Sequence, residues 1–226
     1  MSGAESENRG WLDYPEVSAA FEVALTDLLA ESDRGAALIA ADMISNQLDD
    51  TFRRLAPSFL SPKLKRMMSY PGVASSLSGK ADIAALNGWI DEASHRAIGH
   101  LRRIRNDAAH SNRNFELKTQ SERLNEMLSL GDNIPTAVHN MATEILIGNL
   151  FHTLKKNGEE LIDQLGENPF DTFEKIVKQL QERPDWSVPL EERLPRLKLG
   201  LGVCLIIWLM AVQRERIENQ RAGKPA

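Results

Sequence analysis

Apolar residues recur at steps of three and four along almost the whole of this 226-residue chain, and no segment alternates apolar with polar residues. Steps of three and four return to one face of a 3.6-residue helix, whereas strict alternation marks a half-buried strand. The expected fold is therefore all-α, a multi-helix bundle. Ser32 is placed to cap a helix that runs to about Leu55, with Ile39, Met43, Ile44, Leu48 and Phe52 as its inner stripe. Asp33 suits the positive end of that helix. Further helices are predicted over Pro15–Leu29, Lys63–Met68, Lys80–Asn87, Asp91–Ala109, Thr119–Leu130, Thr136–Lys156, Phe170–Gln181 and Arg196–Asn219. The proline-bounded stretch from Pro184 to Pro195 reads as a linker or strap.

One stretch departs from amphipathic spacing. From Leu199 to Val212 no residue carries a charge or an amide. A bilayer span needs roughly 18 or more such residues, and a run of about 10 to 14 is more often a core helix. The expectation is a buried central helix or one that docks on a second subunit; a membrane-tethered helper is the disfavoured alternative. The polar, acidic start of the chain has no apolar core of a secretory signal, and the single cysteine, Cys204, cannot close an intrachain disulfide. A cytoplasmic setting is expected.

Charge narrows the partners. Lys and Arg number 27 against 32 Asp and Glu, a net charge of −5, which argues against coating nucleic acid by charge alone. The distribution is uneven: residues 1–33 hold eight acids against Arg9, and residues 96–113 hold five arginines against Asp107. The acidic segment is expected to neutralise the basic helix, within the fold or across a dimer.

That basic helix carries the most informative constellation. Ile98, Leu101, Ile104 and Ala108 form its inner stripe, which fixes the directions of the polar residues between them. Asn106 and His110 are neighbours, about 40° apart around the axis, whereas Arg105 lies about 140° from His110. Two such helices packed in a symmetric dimer would bring Arg105 of one chain toward His110 of the other. Imidazole can move the proton of a ribose hydroxyl, and guanidinium can hold charge on a phosphate, so Arg105, Asn106 and His110 together would suffice for metal-independent RNA cleavage. The structural alternative is an Arg103–Asp107 ion pair at i,i+4, with His110 favoured by the helix C-terminus. No metal or cofactor site is expected: His95 and His100 are five apart, and no HExxH or carboxylate-rich loop occurs.

Three pieces in order resemble the mannitol operon repressor (MltR-like) family: Glu31-Ser32-Asp33-Arg34-Gly35-Ala36-Ala37-Leu38, then Ser78-Gly79-Lys80 through Ala84 to Gly88-Trp89-Ile90, then Arg102-Arg103-Ile104-Arg105-Asn106-Asp107-Ala108-Ala109-His110-Ser111. The resemblance covers residues 15–115. It implies an α-helical cytoplasmic regulator of a sugar-uptake type operon that has no recognised DNA-binding module and acts through protein–protein contacts. Within it, Asp33, Arg34, Arg102 and Arg103 are the expected binding positions. The Arg-Asn-x3-His segment is also similar to the RNase motif of HEPN domains, which are helical and usually dimeric; this likeness implies Arg105, Asn106 and His110 as active-site positions, with RNA as substrate. A homodimer is expected on either reading. The domain reading is a flexible N-terminus at 1–10, an MltR-like helical domain at 11–115, and additional C-terminal helices at 116–226, either separate or completing the first core. The basic helix must bury its apolar stripe, so it cannot serve as a free recognition helix, and direct DNA binding is not expected.

Overall fold

The computed structural model describes residues 9–111, 114–160, 162, 166–183 and 188–223. Every regular element among them is helical: α1 (Pro15–Leu25), α2 (Asp27–Ala30), α3 (Asp33–Leu55), α4 (Ser61–Met68), α5 (Leu77–Leu86), α6 (Glu92–His110), α7 (Ser121–Leu128), α8 (Ile134–Glu159), α9 (Phe173–Glu182) and α10 (Val188–Arg221). Of the flexible N-terminus expected at 1–10, residues 1–8 lie outside the described residues.

Local chemistry explains several boundaries. The Ser32 hydroxyl accepts from the Gly35 N–H and opens α3, and the Asp91 carboxylate accepts from the Ser94 N–H and opens α6. Ser76 does the same for α5 through the Gly79 N–H, starting that helix three residues before the expected position. Gly88, at φ +67°, adopts the left-handed conformation beyond the end of α5, and the Trp89 N–H donates to the Ala84 carbonyl.

The apolar run is the mast of the fold. Leu197, Leu199, Leu201, Val203, Cys204, Ile206, Ile207, Met210 and Ala211 of α10 are buried, and α10 packs on α1, α3 and α8. Its residues share one continuous core with Val17 and Leu28, with Ile44, Leu48 and Phe52 of α3, and with Ile98, Leu101 and Ile104 of α6. Phe52 meets Trp89 edge-on, with ring centroids 5.2 Å apart. With its flanks the run extends over Leu190–Arg221, long and apolar enough to cross a bilayer by length and composition, but 61% of its 18-residue apolar window is buried inside the protein, as the expected core helix requires. The linker reading of 184–195 fails from Val188 onward. Those residues form the first turns of α10, with Pro195 inside the helix. A proline there removes one backbone donor, but Leu190 and Leu194 pack against the core, and tertiary burial outweighs the local preference. Residues 184–187 lie outside the described residues.

Candidate functional site

Helix α6 sits between α3 and α5 on one side and α7 on the other, with Ala97, Ile98, Leu101, Ile104 and Ala108 turned into the core. This burial fixes the azimuth of every polar residue in the motif. His110 is the last residue of α6 and is exposed; Asn106 and Asp107 are half-buried; Arg103 is exposed and Arg102 half-buried. Arg105, on a different side of the helix, makes a long 3.5 Å contact from Nη1 to its neighbour Asn106 Oδ1. A shallow hollow of about 340 Å³ at the end of α6 is lined by Asp107, His110, Ser111, Phe115, Glu116 and Gln120 among others; neither Arg105 nor Asn106 lines it.

The expected Arg103–Asp107 pair does not form. Asp107 instead bonds Arg123 of α7, whose Nη1 also donates to Gln120 Oε1 at 2.9 Å. An exposed i,i+4 pair contributes only about 0.3–0.5 kcal/mol, so a cross-helix partner held by a second acceptor readily displaces it. The acidic segment is likewise matched elsewhere. Glu16 bonds Arg214 of α10, and Asp33 Oδ1 lies 2.9 Å from Arg196 Nε.

Asp33 and Arg34 serve as ties in this arrangement. The second oxygen of Asp33 accepts from the Leu117 N–H at 2.7 Å, and Arg196 also donates to the carbonyls of Leu29 and Glu31 at 3.1 and 2.6 Å. Arg34 donates to the Ser111 carbonyl at 2.9 Å, which fastens the start of α3 to the end of α6. These side chains border a larger open hollow of about 760 Å³ that also touches Lys118, Glu191 and Glu192. Arg102 and Arg103 have no hydrogen-bond or ion-pair partner among the described residues and face the α5 side, where a hollow of about 340 Å³ is lined by Asp82, His95, Arg96, Gly99 and His100. His95 Nε2 lies 2.8 Å from Asp82 Oδ1. Burial, then the neighbouring Arg103, pushes the pKa of His100 below its usual range. Among the described residues no three His, Cys, Asp or Glu side chains converge as metal ligands.

Sequence reasoning places a helix over Lys63–Met68 but misses the exposed apolar residues that flank α4. Phe59, Tyr70 and Val73 are 74%, 92% and 68% exposed at the two ends of this eight-residue helix. Lys63, Lys65 and Arg66 stand exposed on the helix between them. The available signal was charge: residues 51–81 contain six basic residues and no acid.

Comparison with family models, with curated proteins and with solved structures returns no match.

Proposed function

We propose that this chain is a non-enzymatic helical regulator that works by docking a protein partner. The observation that carries this reading is the α4 segment, which leaves two aromatic rings and a valine in water beside three unpaired cations. Exposed apolar groups rimmed by charge mark protein-binding surfaces, and aromatic residues are enriched at their centres. The partner that fits is an apolar patch with an acidic rim. The site residues argue in the same direction: Asp33 and Arg34 are spent on holding α3, α6 and α10 together, and Arg105 stands apart from His110. Control of a sugar-uptake operon in the manner of the MltR-like family rests on the sequence resemblance.

The test is affinity capture with the wild-type chain and a Phe59→Ser, Tyr70→Ser, Val73→Ser variant. A partner retained by the first and lost by the second, with helicity unchanged, supports the reading. Equal capture by both refutes it.

A second reading, a metal-independent endoribonuclease of the HEPN type, is favoured by the exposure of His110 at the helix end. It requires a second copy to bring its own Arg105 across to that imidazole. Metal-free digestion of RNA by the wild-type chain and by His110→Ala separates the two readings.

A further inference from the structure

Helix α6 carries a glycine on its outer face that nothing inside the chain requires. Gly99 is half-exposed, has no unusual backbone angle, and a Cβ built on it would find no atom within 4 Å. Glycine in the middle of a helix costs roughly 0.5–1 kcal/mol relative to alanine, so a position with open space and ordinary helical geometry favours almost any other residue.

The neighbours of Gly99 form a fence around it. On an ideal helix His95 and Arg102 lie about 40° and 60° to one side of Gly99, and Arg103 and Arg96 about 40° and 60° to the other. All four line the same hollow of about 340 Å³, with Gly99 backbone as its floor, Ser78 and Asp82 of α5 along one wall and the His100 ring along the other. Two carboxylates reach this hollow, and each has a partner: Asp82 Oδ1 lies 2.8 Å from His95 Nε2, and Glu92 lies 3.7 Å from Arg96. Arg102 and Arg103 remain uncompensated, and Nδ1 of His100 is buried without a hydrogen-bond partner.

We propose that this glycine-floored groove binds a small phosphate-bearing anion, with Arg102 and Arg103 as its clamps. Guanidinium offers paired donors that match phosphate oxygens, and the missing side chain at 99 leaves room for the anion between the arginines. The same charges disfavour a second copy of α6 crossing here, since it would set Arg96 and Arg103 of both chains against each other. The inference is independent of the α4 reading, and either can fail without the other.

His100 provides the readout. Its ring is faced by Arg96 and Arg103 of its own helix and by Arg123 and Glu126 of α7, and burial, then Arg103, holds its pKa below the usual range. A phosphate dianion seated between the arginines would favour the imidazolium and raise its pKa.

The chain is titrated with inorganic phosphate, with glycerol phosphate and with a short single-stranded RNA. Binding is followed by calorimetry and by the NMR titration of His100. The expected result is saturable binding of the small anions and an upward shift of the His100 pKa. Arg102→Gln/Arg103→Gln should weaken that binding by about tenfold or more. Gly99→Leu, which places a strong helix former over the floor, should abolish binding while leaving the fold at least as stable. No saturable binding to the wild-type chain, or unchanged binding by Gly99→Leu, overturns the proposal. Binding of RNA alone would make the groove a nucleic-acid track, and a loss of dimer in Gly99→Leu without any anion binding would make it a helix crossing; each of these outcomes also overturns it.

Discussion

Gly200 of α10 faces Ala24 of α1, and a Cβ built on Gly200 would lie 2.7 Å from Ala24 Cβ and 3.3 Å from Ala24 Cα. Carbon atoms at optimal separation are about 3.5–4.0 Å apart, so the added methyl is roughly an ångström too close to an atom that cannot rotate away. Gly200→Ala gains about 1 kcal/mol of helix propensity. Overpacking typically costs about 1–3 kcal/mol, and contact with another backbone places this case at the upper end. The net expectation is a loss of about 2 kcal/mol. Ala24→Gly alone should lose a similar amount, about 2 kcal/mol, from lower propensity and a missing buried methyl. Combining the two moves the methyl from one helix to the other, and the double variant should return to within about 1 kcal/mol of wild type, a coupling of about 3–4 kcal/mol. Urea unfolding with an unchanged m-value reads each difference directly. Gly202→Ala is the internal control, because its Cβ would meet the far ends of Met127 and Leu128, which can turn aside. If Gly200→Ala proves as stable as Gly99→Ala, which should gain up to about 1 kcal/mol, α1 and α10 do not cross as described.

Other predictions follow from single side chains. Ser32→Ala removes the acceptor for the Gly35 N–H at the start of α3 and should cost about 1 kcal/mol in chemical denaturation. Arg214 is only 6% exposed and joins Glu16 to Asp50, so Arg214→Met should destabilise the chain at neutral pH by about 2 kcal/mol, less than a fully buried pair because both carboxylates touch water. Burial alone would raise the Glu16 pKa, but a backbone N–H and Arg214 outweigh it and hold the carboxyl below its usual range. A folded pKa below the unfolded one means that this stabilisation is present above the unfolded carboxyl pKa of about 4.3 and disappears as pH falls through the folded value. The Arg214→Met variant should therefore lose less stability on acidification than the wild type; equal losses would refute the coupling. Burial pushes the Cys204 thiol up to about 12, so iodoacetamide should leave the native chain unmodified at pH 8 and label it fully in denaturant.

The periodic features of this chain were readable because they depend on near neighbours. The stripe from Ile39 to Phe52, the Ser32 cap and the buried face of α6 all follow from spacing along one helix. The apolar run could be assigned to a core because no residue between Leu199 and Val212 tolerates water well. What spacing could not supply were pairings across the fold. Arg214 meets Glu16 from 198 residues away, Arg196 meets Asp33 from 163, and Asp107 finds Arg123 in preference to Arg103. Those partners exist only once α10 and α7 are docked, and they give Asp33 a structural tie that spacing along one helix does not show. Pro195 misled for a related reason: its cost is local, whereas the burial of Leu197 and Leu199 beyond it is tertiary. Gly99 and the exposed Phe59 and Tyr70 were overlooked because helical spacing reports which residues are buried and gives little weight to a missing side chain or an apolar one left outside.

The proposed reading is a docking protein whose Arg105, Asn106 and His110 do not form a working nuclease. Metal-free incubation of the purified chain with mixed RNA tests it most directly, using concentrations that span monomer and dimer. The account predicts intact RNA throughout, with wild type and His110→Ala indistinguishable. Cleavage that rises with dimerisation and vanishes in His110→Ala would contradict it.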